Sequence, residues 1–127
     1  MSRQIISTDN APSSPLYSQG VRAGSTIYVS GMVGIDPATG ELAGSSIQEQ
    51  TRQALRNCDA VLHAAGSSLA DATQVTVLLA RPEDFAGMNE AYSEVFGQAP
   101  PARAVARFGP DLPGIRVSIM MTAHTDN

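Results

Sequence analysis

The residues of this chain best suited to bind or activate a small ligand are its arginines. All eight basic residues are arginines and none is lysine, and a guanidinium offers a planar fork that matches a carboxylate. In residues 102–107, Arg103, Val105 and Arg107 alternate with alanines, so they share one face of a predicted strand. We expect the alanine face to lie under a helix and the arginine face to meet solvent, a subunit or a ligand. A salt bridge to a neighbouring acid is the structural alternative for Arg103.

The sequence lacks the residue patterns of metal sites and of nucleotide-binding motifs. The two histidines, His63 and His124, have no partner at ligand spacing, so we expect no zinc or other metal site. Neither a Gly-x-Gly-x-x-Gly motif nor a P-loop appears, and we expect no cofactor. His63 falls late in a predicted helix, where it suits the negative end of the helix dipole. Cys58 falls on the apolar stripe of that helix and is expected to be a small core residue.

Two helices and several strands are predicted to position these residues. Ser46 to Glu49 form a capping box, and apolar residues at helical spacing continue to a stop at Gly66. A second helix begins near Pro82 and ends at Gly97. Strands are predicted at 17–21, 26–30, 73–80, 103–108 and 115–124.

This order of elements predicts an α+β fold in which a mixed sheet packs on two helices. A helix with one apolar stripe must cover one face of a sheet. The other face of the sheet also carries apolar residues, and large exposed apolar patches are rare in monomers. We therefore expect that face to meet another subunit.

Length and composition are those of one globular domain spanning residues 1–127. The chain is 43% hydrophobic and 16% charged. Its net charge of −4 and the absence of a basic run disfavour nucleic-acid binding, which draws its affinity from basic residues that neutralise phosphates. We expect no membrane span, no signal peptide and, with one cysteine, no internal disulfide, which makes the cytoplasm the default location.

Several short motifs occur in a fixed order along the chain: Tyr17-Ser18-Gln19, Ser30-Gly31, Gln50-Thr51, Asn57, Phe85-x-x-x-Asn89-x-x-Tyr92-x-x-x-Phe96, Pro101-Ala102-Arg103 and Leu112-Pro113. In this order and spacing they resemble the RidA/YjgF family of reactive-intermediate imine and enamine deaminases, formerly labelled L-PSP endoribonucleases or translation inhibitors. The resemblance covers essentially the whole chain.

The resemblance implies a chorismate-mutase-like homotrimer with ligand clefts between subunits. In family deaminases the arginine that matches Arg103 binds the substrate carboxylate. The residues that match Tyr17, Ser30, Gly31 and Asn89 border the cleft. A core position for Tyr17 and a solvated one for Asn89 are the plain alternatives.

The chain departs from the family pattern at positions that bear on catalysis. A frequent family cysteine is Val105 here, and the glutamate that activates water in the family aligns with Ser118. A serine can hold a water by a hydrogen bond but cannot take its proton near neutral pH. Loss of general acid–base assistance typically costs a factor of about 10²–10⁴ in rate.

Three functions follow as expectations. The first is a cofactor-independent deaminase that converts small 2-imino or enamine carboxylates to 2-oxo acids and ammonia. In this deaminase Arg103 binds the carboxylate, backbone groups near Gly31 and Val105 orient the imine, and Ser118 holds the water. The second is a non-catalytic trimer that binds a small carboxylate. The third and weakest is an endoribonuclease.

Overall fold

The computed structural model describes residues 2–126, which form eight strands and two α-helices. The helices are α1 (Ile47–Ala64) and α2 (Phe85–Phe96). The strands are β1 (Gln4–Ile6), β2 (Gly20–Ala23), β3 (Thr26–Val33), β4 (Ile35–Asp36), β5 (Glu41–Leu42), β6 (Ala72–Leu79), β7 (Ala102–Arg107) and β8 (Val117–His124).

Six of the strands form one mixed sheet in the order β1–β2–β3–β8–β6–β7. All neighbours are antiparallel except β6 and β7, which run parallel. Parallel neighbours need a crossover connection, and α2 supplies it. Strand β7 therefore lies at one edge of the sheet with α2 beside it, while β4 and β5 form a separate hairpin.

Helix α1 forms as its sequence predicts. The Ser46 hydroxyl accepts a hydrogen bond from the Glu49 backbone N–H at 3.1 Å, and the Glu49 carboxylate accepts one from the Ser46 backbone N–H at 3.3 Å. These two bonds satisfy donors that the first helical turn leaves free. After the helix, Gly66 has a φ of +82°, a conformation that glycine adopts at little cost.

The core lies between the two helices and one face of the sheet. The fully buried residues of α1 include Ala54, Leu55, Cys58, Val61 and Leu62. They pack with alternate residues of the central strands, namely Ile27, Val29, Val75, Val77, Val117 and Ile119. The opposite face of the sheet, here called the open face, carries Tyr28 and Met120, each about half exposed (52% and 46%). The predicted sheet on two helices is confirmed, and so is an apolar second face.

Two sequence predictions need correction, and one strand was missed. The alanine face of β7 does not lie under a helix: Arg103 contacts α2 and Val105 packs on the core, while the alanines are exposed. The second strand begins at Gly20, so Tyr17 precedes it in a turn. Strand β1 was not predicted, because three residues are too few to establish alternation.

Two buried side-chain amides of α1 form hydrogen bonds to the backbone of neighbouring segments. Gln50 donates to the Gly114 carbonyl at 2.8 Å and accepts from the Arg116 backbone N–H at 2.9 Å. Asn57 donates to the Val33 and Ile35 carbonyls at 3.0 and 2.8 Å. Both side chains are essentially inaccessible to solvent, so these two motif residues hold neighbouring backbone segments against α1 and do not line a site.

Candidate functional site

Arg103 is held against one face of α2. Its Nη1 donates to Asn89 Oδ1 at 2.7 Å, and its Cζ lies 4.8 Å from the ring centroid of Tyr92. The Phe85 ring centroid is 5.9 Å from the same atom. A cation over an aromatic face is attracted by the ring quadrupole, so two rings and one amide fix the orientation of the guanidinium.

Phe85, Asn89 and Tyr92, here called the cradle, are brought together by the sequence of α2. Residues three and four apart in a helix lie on the same side, which aligns Phe85, Asn89 and Tyr92 towards β7. Tyr92 is buried (6% exposed) and stacks on Phe96 with centroids 4.7 Å apart. Burial raises the pKa of the Tyr92 hydroxyl, and the nearby Arg103 charge opposes that rise. The cradle is therefore a rigid, neutral surface beneath a permanent positive charge.

One edge of the Arg103 fork remains open. Among residues 2–126, Nη1 contacts Asn89 and the Met88 sulfur, whereas Nε and Nη2 have no hydrogen-bond partner. The side chain is exposed and forms no ion pair with an acid in the described part of the chain. The salt-bridge alternative for Arg103 is therefore not seen among residues 2–126. Nε and Nη2 together form the donor pair that binds a carboxylate in two parallel hydrogen bonds.

Two clefts flank Arg103 along the edge strand. One, of about 550 Å³, is lined by Phe85, Val105 and Arg107, together with Leu79, Pro82 and Ala106. The other, of about 350 Å³, includes Asn89, Tyr92 and Arg103 in its wall. A larger cavity of about 670 Å³ lies by the 111–116 loop and contains none of the predicted site residues.

The second group of predicted residues lies on the open face of the sheet. Ser30 and Gly31 form a β-bulge, because Val29 pairs with Met121 and Met32 with Ile119, which leaves two residues opposite one. A Cβ on Gly31 would lie 2.9 Å from the Ser118 hydroxyl, so glycine allows the two strands to approach there. Ser118 itself is 5% exposed.

Tyr17 and Ser30 are connected through the backbone beside this bulge. The Ser30 hydroxyl donates to the Ser18 carbonyl at 2.5 Å, and the Ser30 backbone N–H donates to the Gln19 carbonyl at 2.9 Å. Tyr17, next to Ser18, is half exposed (51%). The core alternative for Tyr17 is therefore wrong, and its ring is accessible.

Within one chain the two groups lie on opposite faces of the sheet. Arg103 is on the helix side with its register partner Val75, which is fully buried in the core. Ser118 alternates with the core residues Val117 and Ile119 and therefore faces the other way. A single protomer does not bring Arg103 and Ser118 to one ligand.

The other potentially reactive groups have structural positions. His63 is in the last turn of α1, as predicted, and its Nε2 lies 3.3 Å from a carboxylate oxygen of Asp59. Cys58 is fully buried, its thiol donates to the Ile119 carbonyl at 3.4 Å, and burial raises its pKa. No group of three or more His, Cys, Asp or Glu side chains within residues 2–126 is arranged to hold a metal ion. No helix in that part of the chain is both long and apolar enough to cross a membrane.

Sequence reasoning missed the roles of Phe85 and Tyr92. From the sequence, both were identified only as residues of a family motif, and neither was assigned a role beside Arg103. Their spacing with Asn89 was the available signal, since it places an amide between two rings on one helix face. That the cation above them is Arg103 depends on the neighbouring strand, which spacing within a helix does not reveal.

Comparison with known proteins identifies the family. Residues 8–125 match the family model described as endoribonuclease L-PSP. The 2-iminobutanoate/2-iminopropanoate deaminase of Mus musculus is 42% identical over 118 residues, which cover 92% of this chain and 87% of that protein. The chain belongs to the Rid (YjgF/L-PSP) family.

Other Rid relatives agree with this assignment. A RutC family protein of Pyrococcus horikoshii is 48% identical over 103 residues, covering 80% of this chain and 81% of that protein. The crystal structure of RidA from an Antarctic Psychrobacter species superposes with a TM-score of 0.89 at 36% identity, covering 96% of this chain and 99% of that one. Escherichia coli TdcF with bound serine gives 0.89 at 32% identity, covering 97% and 99%. The family resemblance and the predicted Rid fold are both confirmed.

Proposed function

We propose that this Rid protein hydrolyses small 2-imino carboxylates to 2-oxo acids and ammonia. The observation that carries the proposal is the open edge of Arg103, oriented by Asn89 and Tyr92. The mammalian relatives named as 2-iminobutanoate/2-iminopropanoate deaminases support the same class of reaction.

The chemistry needs little from the protein beyond binding and orientation. Water adds to the imine carbon, its proton passes to the imine nitrogen, and the resulting carbinolamine releases ammonia to leave the 2-oxo acid. The imine nitrogen is itself the base that accepts the proton. Fixing water and imine in reacting geometry can lower a barrier by several kcal/mol, on the order of 7–11 in favourable cases. Arg103 holds the carboxylate, and Ser118 holds the water without deprotonating it.

The active unit in this proposal is a homotrimer. Arg103 of one copy and the Ser118–Gly31 bulge of another border one cleft, since the two lie on opposite faces of a single sheet. The half-exposed Tyr28 and Met120 on the open face supply apolar area for the contact. Sedimentation equilibrium at micromolar concentration tests this assembly, and a species near the chain mass of 13.3 kDa would contradict it.

The decisive assay is ammonia release from freshly generated 2-aminoacrylate, with and without the protein. Acceleration that disappears in a folded Arg103→Ala variant supports the proposal. Arg103→Lys is the stricter comparison, because a lysine keeps the charge and loses the paired donors. Full activity in Arg103→Ala would show that the arginine does not bind the substrate.

A second candidate function is favoured by Ser118. If the chain only binds small carboxylates, the wild type releases almost no ammonia yet still binds 2-oxo acids through Arg103. Ser118→Glu then places a carboxylate at the position of the family glutamate and is expected to raise turnover strongly. Substantial wild-type turnover that survives Ser118→Ala would exclude both the binding function and a role for Ser118.

A further inference from the structure

Arg107 is a second arginine on the ligand-facing side of β7. It lies four residues beyond Arg103, so strand alternation puts both side chains on the face towards α2. Arg107 is exposed and forms no hydrogen bond or ion pair with any other side chain in residues 2–126. Arg107 and the acid Asp111 line the same cavity, yet these two side chains form no ion pair.

Three other arginines of the chain form ion pairs with acids. Arg52, Arg81 and Arg116 each lie within 4.0 Å of a carboxylate. The chain as a whole carries a net charge of −4, so acids are available on the surface. Arg103 and Arg107 form no ion pair among residues 2–126, so their two charges on one strand face create a local positive field that attracts anions.

The cleft between the two arginines has an apolar floor. Phe85 and Val105 line the cavity of about 550 Å³ that Arg107 also lines. The Phe85 ring is 5.9 Å from the Arg103 guanidinium, so the floor reaches from one arginine to the other. A cation at each end and hydrocarbon between them match a ligand with two carboxylates joined by methylene groups.

The spacing fits a small diacid. Four residues of strand separate the two arginines by about 13 Å between Cα atoms. An extended five-carbon diacid places its carboxyl carbons roughly 5 Å apart, and each end needs one guanidinium–carboxylate contact with N···O of about 2.8 Å. That Cα separation leaves room for such a ligand between the two guanidinium groups.

We infer that the site prefers 2-imino dicarboxylates, with the carboxylate next to the imine on Arg103 and the distal carboxylate on Arg107. This inference rests on the proposed function for the placement of the first carboxylate. It adds a substrate class: a reaction that oxidises an acidic amino acid to its imine would supply the substrate.

The test compares two ligands that differ only at the distal end. Calorimetric affinities are measured for 2-oxoglutarate and 2-oxopentanoate, which has a methyl group in place of the second carboxylate. A charge-assisted contact is expected to favour 2-oxoglutarate by roughly 10- to 100-fold in the wild type. In Arg107→Gln that preference is lost while the affinity for 2-oxopentanoate stays the same.

Two control variants separate a specific contact from a general effect of charge. Arg81→Gln removes the same charge from an exposed arginine outside the cleft and is expected to keep the preference. Arg107→Lys keeps the charge but loses the paired donors of the guanidinium, so it is expected to retain only part of the preference for 2-oxoglutarate. No preference in the wild type, or an equal preference in Arg107→Gln, would overturn the inference.

A kinetic measurement distinguishes this inference from the proposed function. Imines are generated in the assay from glutamate and from norvaline by an amino-acid oxidase, and ammonia release is followed. Turnover of both imines at equal kcat/KM overturns the diacid preference and leaves the deaminase intact. Preferential binding of 2-oxoglutarate without turnover of either imine supports the diacid site and contradicts the deaminase.

Discussion

Removing the carboxylate of Asp84 is expected to destabilise the whole domain. Asp84 is 5% exposed and accepts two hydrogen bonds from Arg116, at 3.2 Å from Nε and 3.2 Å from Nη2. Arg116 also donates to the Ser45 carbonyl at 2.7 Å. This pair joins the start of β8, the residues before α1 and the residue before α2, the helix that orients Arg103.

The size of the effect follows from the burial of the pair. Breaking a fully buried ion pair by removing one partner typically costs about 3–5 kcal/mol, because the other charge is left without a partner. The Arg116 side chain is 23% exposed, and in the variant it still has the Ser45 carbonyl as a hydrogen-bond acceptor. We therefore expect a loss of about 3 kcal/mol for Asp84→Ala, at the lower end of the range. Asp84→Asn is expected to lose about 2 kcal/mol, because its amide oxygen still accepts one hydrogen bond.

Urea unfolding at fixed protein concentration measures this loss, since association would otherwise contribute. Arg81→Ala is the matched control, because Arg81 Nε is 4.0 Å from the same carboxylate but the side chain is 54% exposed. Exposed pairs contribute at most about 1 kcal/mol. A cost for Asp84→Asn no greater than that for Arg81→Ala would refute the argument from burial.

Further predictions concern α1 and its contacts. Ser46→Ala removes the helix cap and is expected to cost about 1 kcal/mol in urea unfolding. Ser46 lowers the pKa of Glu49, so the stabilisation that Glu49 gives is present above its unfolded pKa and lost as pH falls through the lower folded pKa. The stability difference between wild type and Glu49→Gln should shrink over that window. Gly34→Ala puts a Cβ 2.7 Å from the Gln50 backbone and should lower the melting temperature. Cys58 is fully buried, so we expect no reaction with a thiol reagent until the protein unfolds.

The sequence predicted the elements whose signals are local. The capping box of Ser46 and Glu49 and the apolar stripe of α1 depend on residues within four positions of one another, and the helix begins and ends close to where they indicate. A run rich in Thr, Val and Leu likewise located β6. Alternation along β7 identified Arg103 as the candidate anchor, since alternation and the family motif coincide there.

The sheet face to which Arg103 belongs was decided by tertiary structure. Alternation separates the arginines from the alanines of β7 but does not say which set faces the helices. Small alanines suit a close helix contact, yet the edge position of β7 lets long arginine side chains reach over α2 instead. The register of β6 with β7 fixes this choice, and register joins residues nearly thirty positions apart (Val75 with Arg103).

The sequence by itself thus determined which residue types are available: an arginine on a predicted strand, an amide, a serine in place of the family glutamate, and no lysine. Their arrangement was decided by the fold. The bulge at Ser30 and Gly31 and the burial of Ser118 arise from strand pairing across the sheet. That pairing puts Ser118 and Arg103 on opposite faces because side chains alternate along every strand, a relation between distant segments that no local pattern contains.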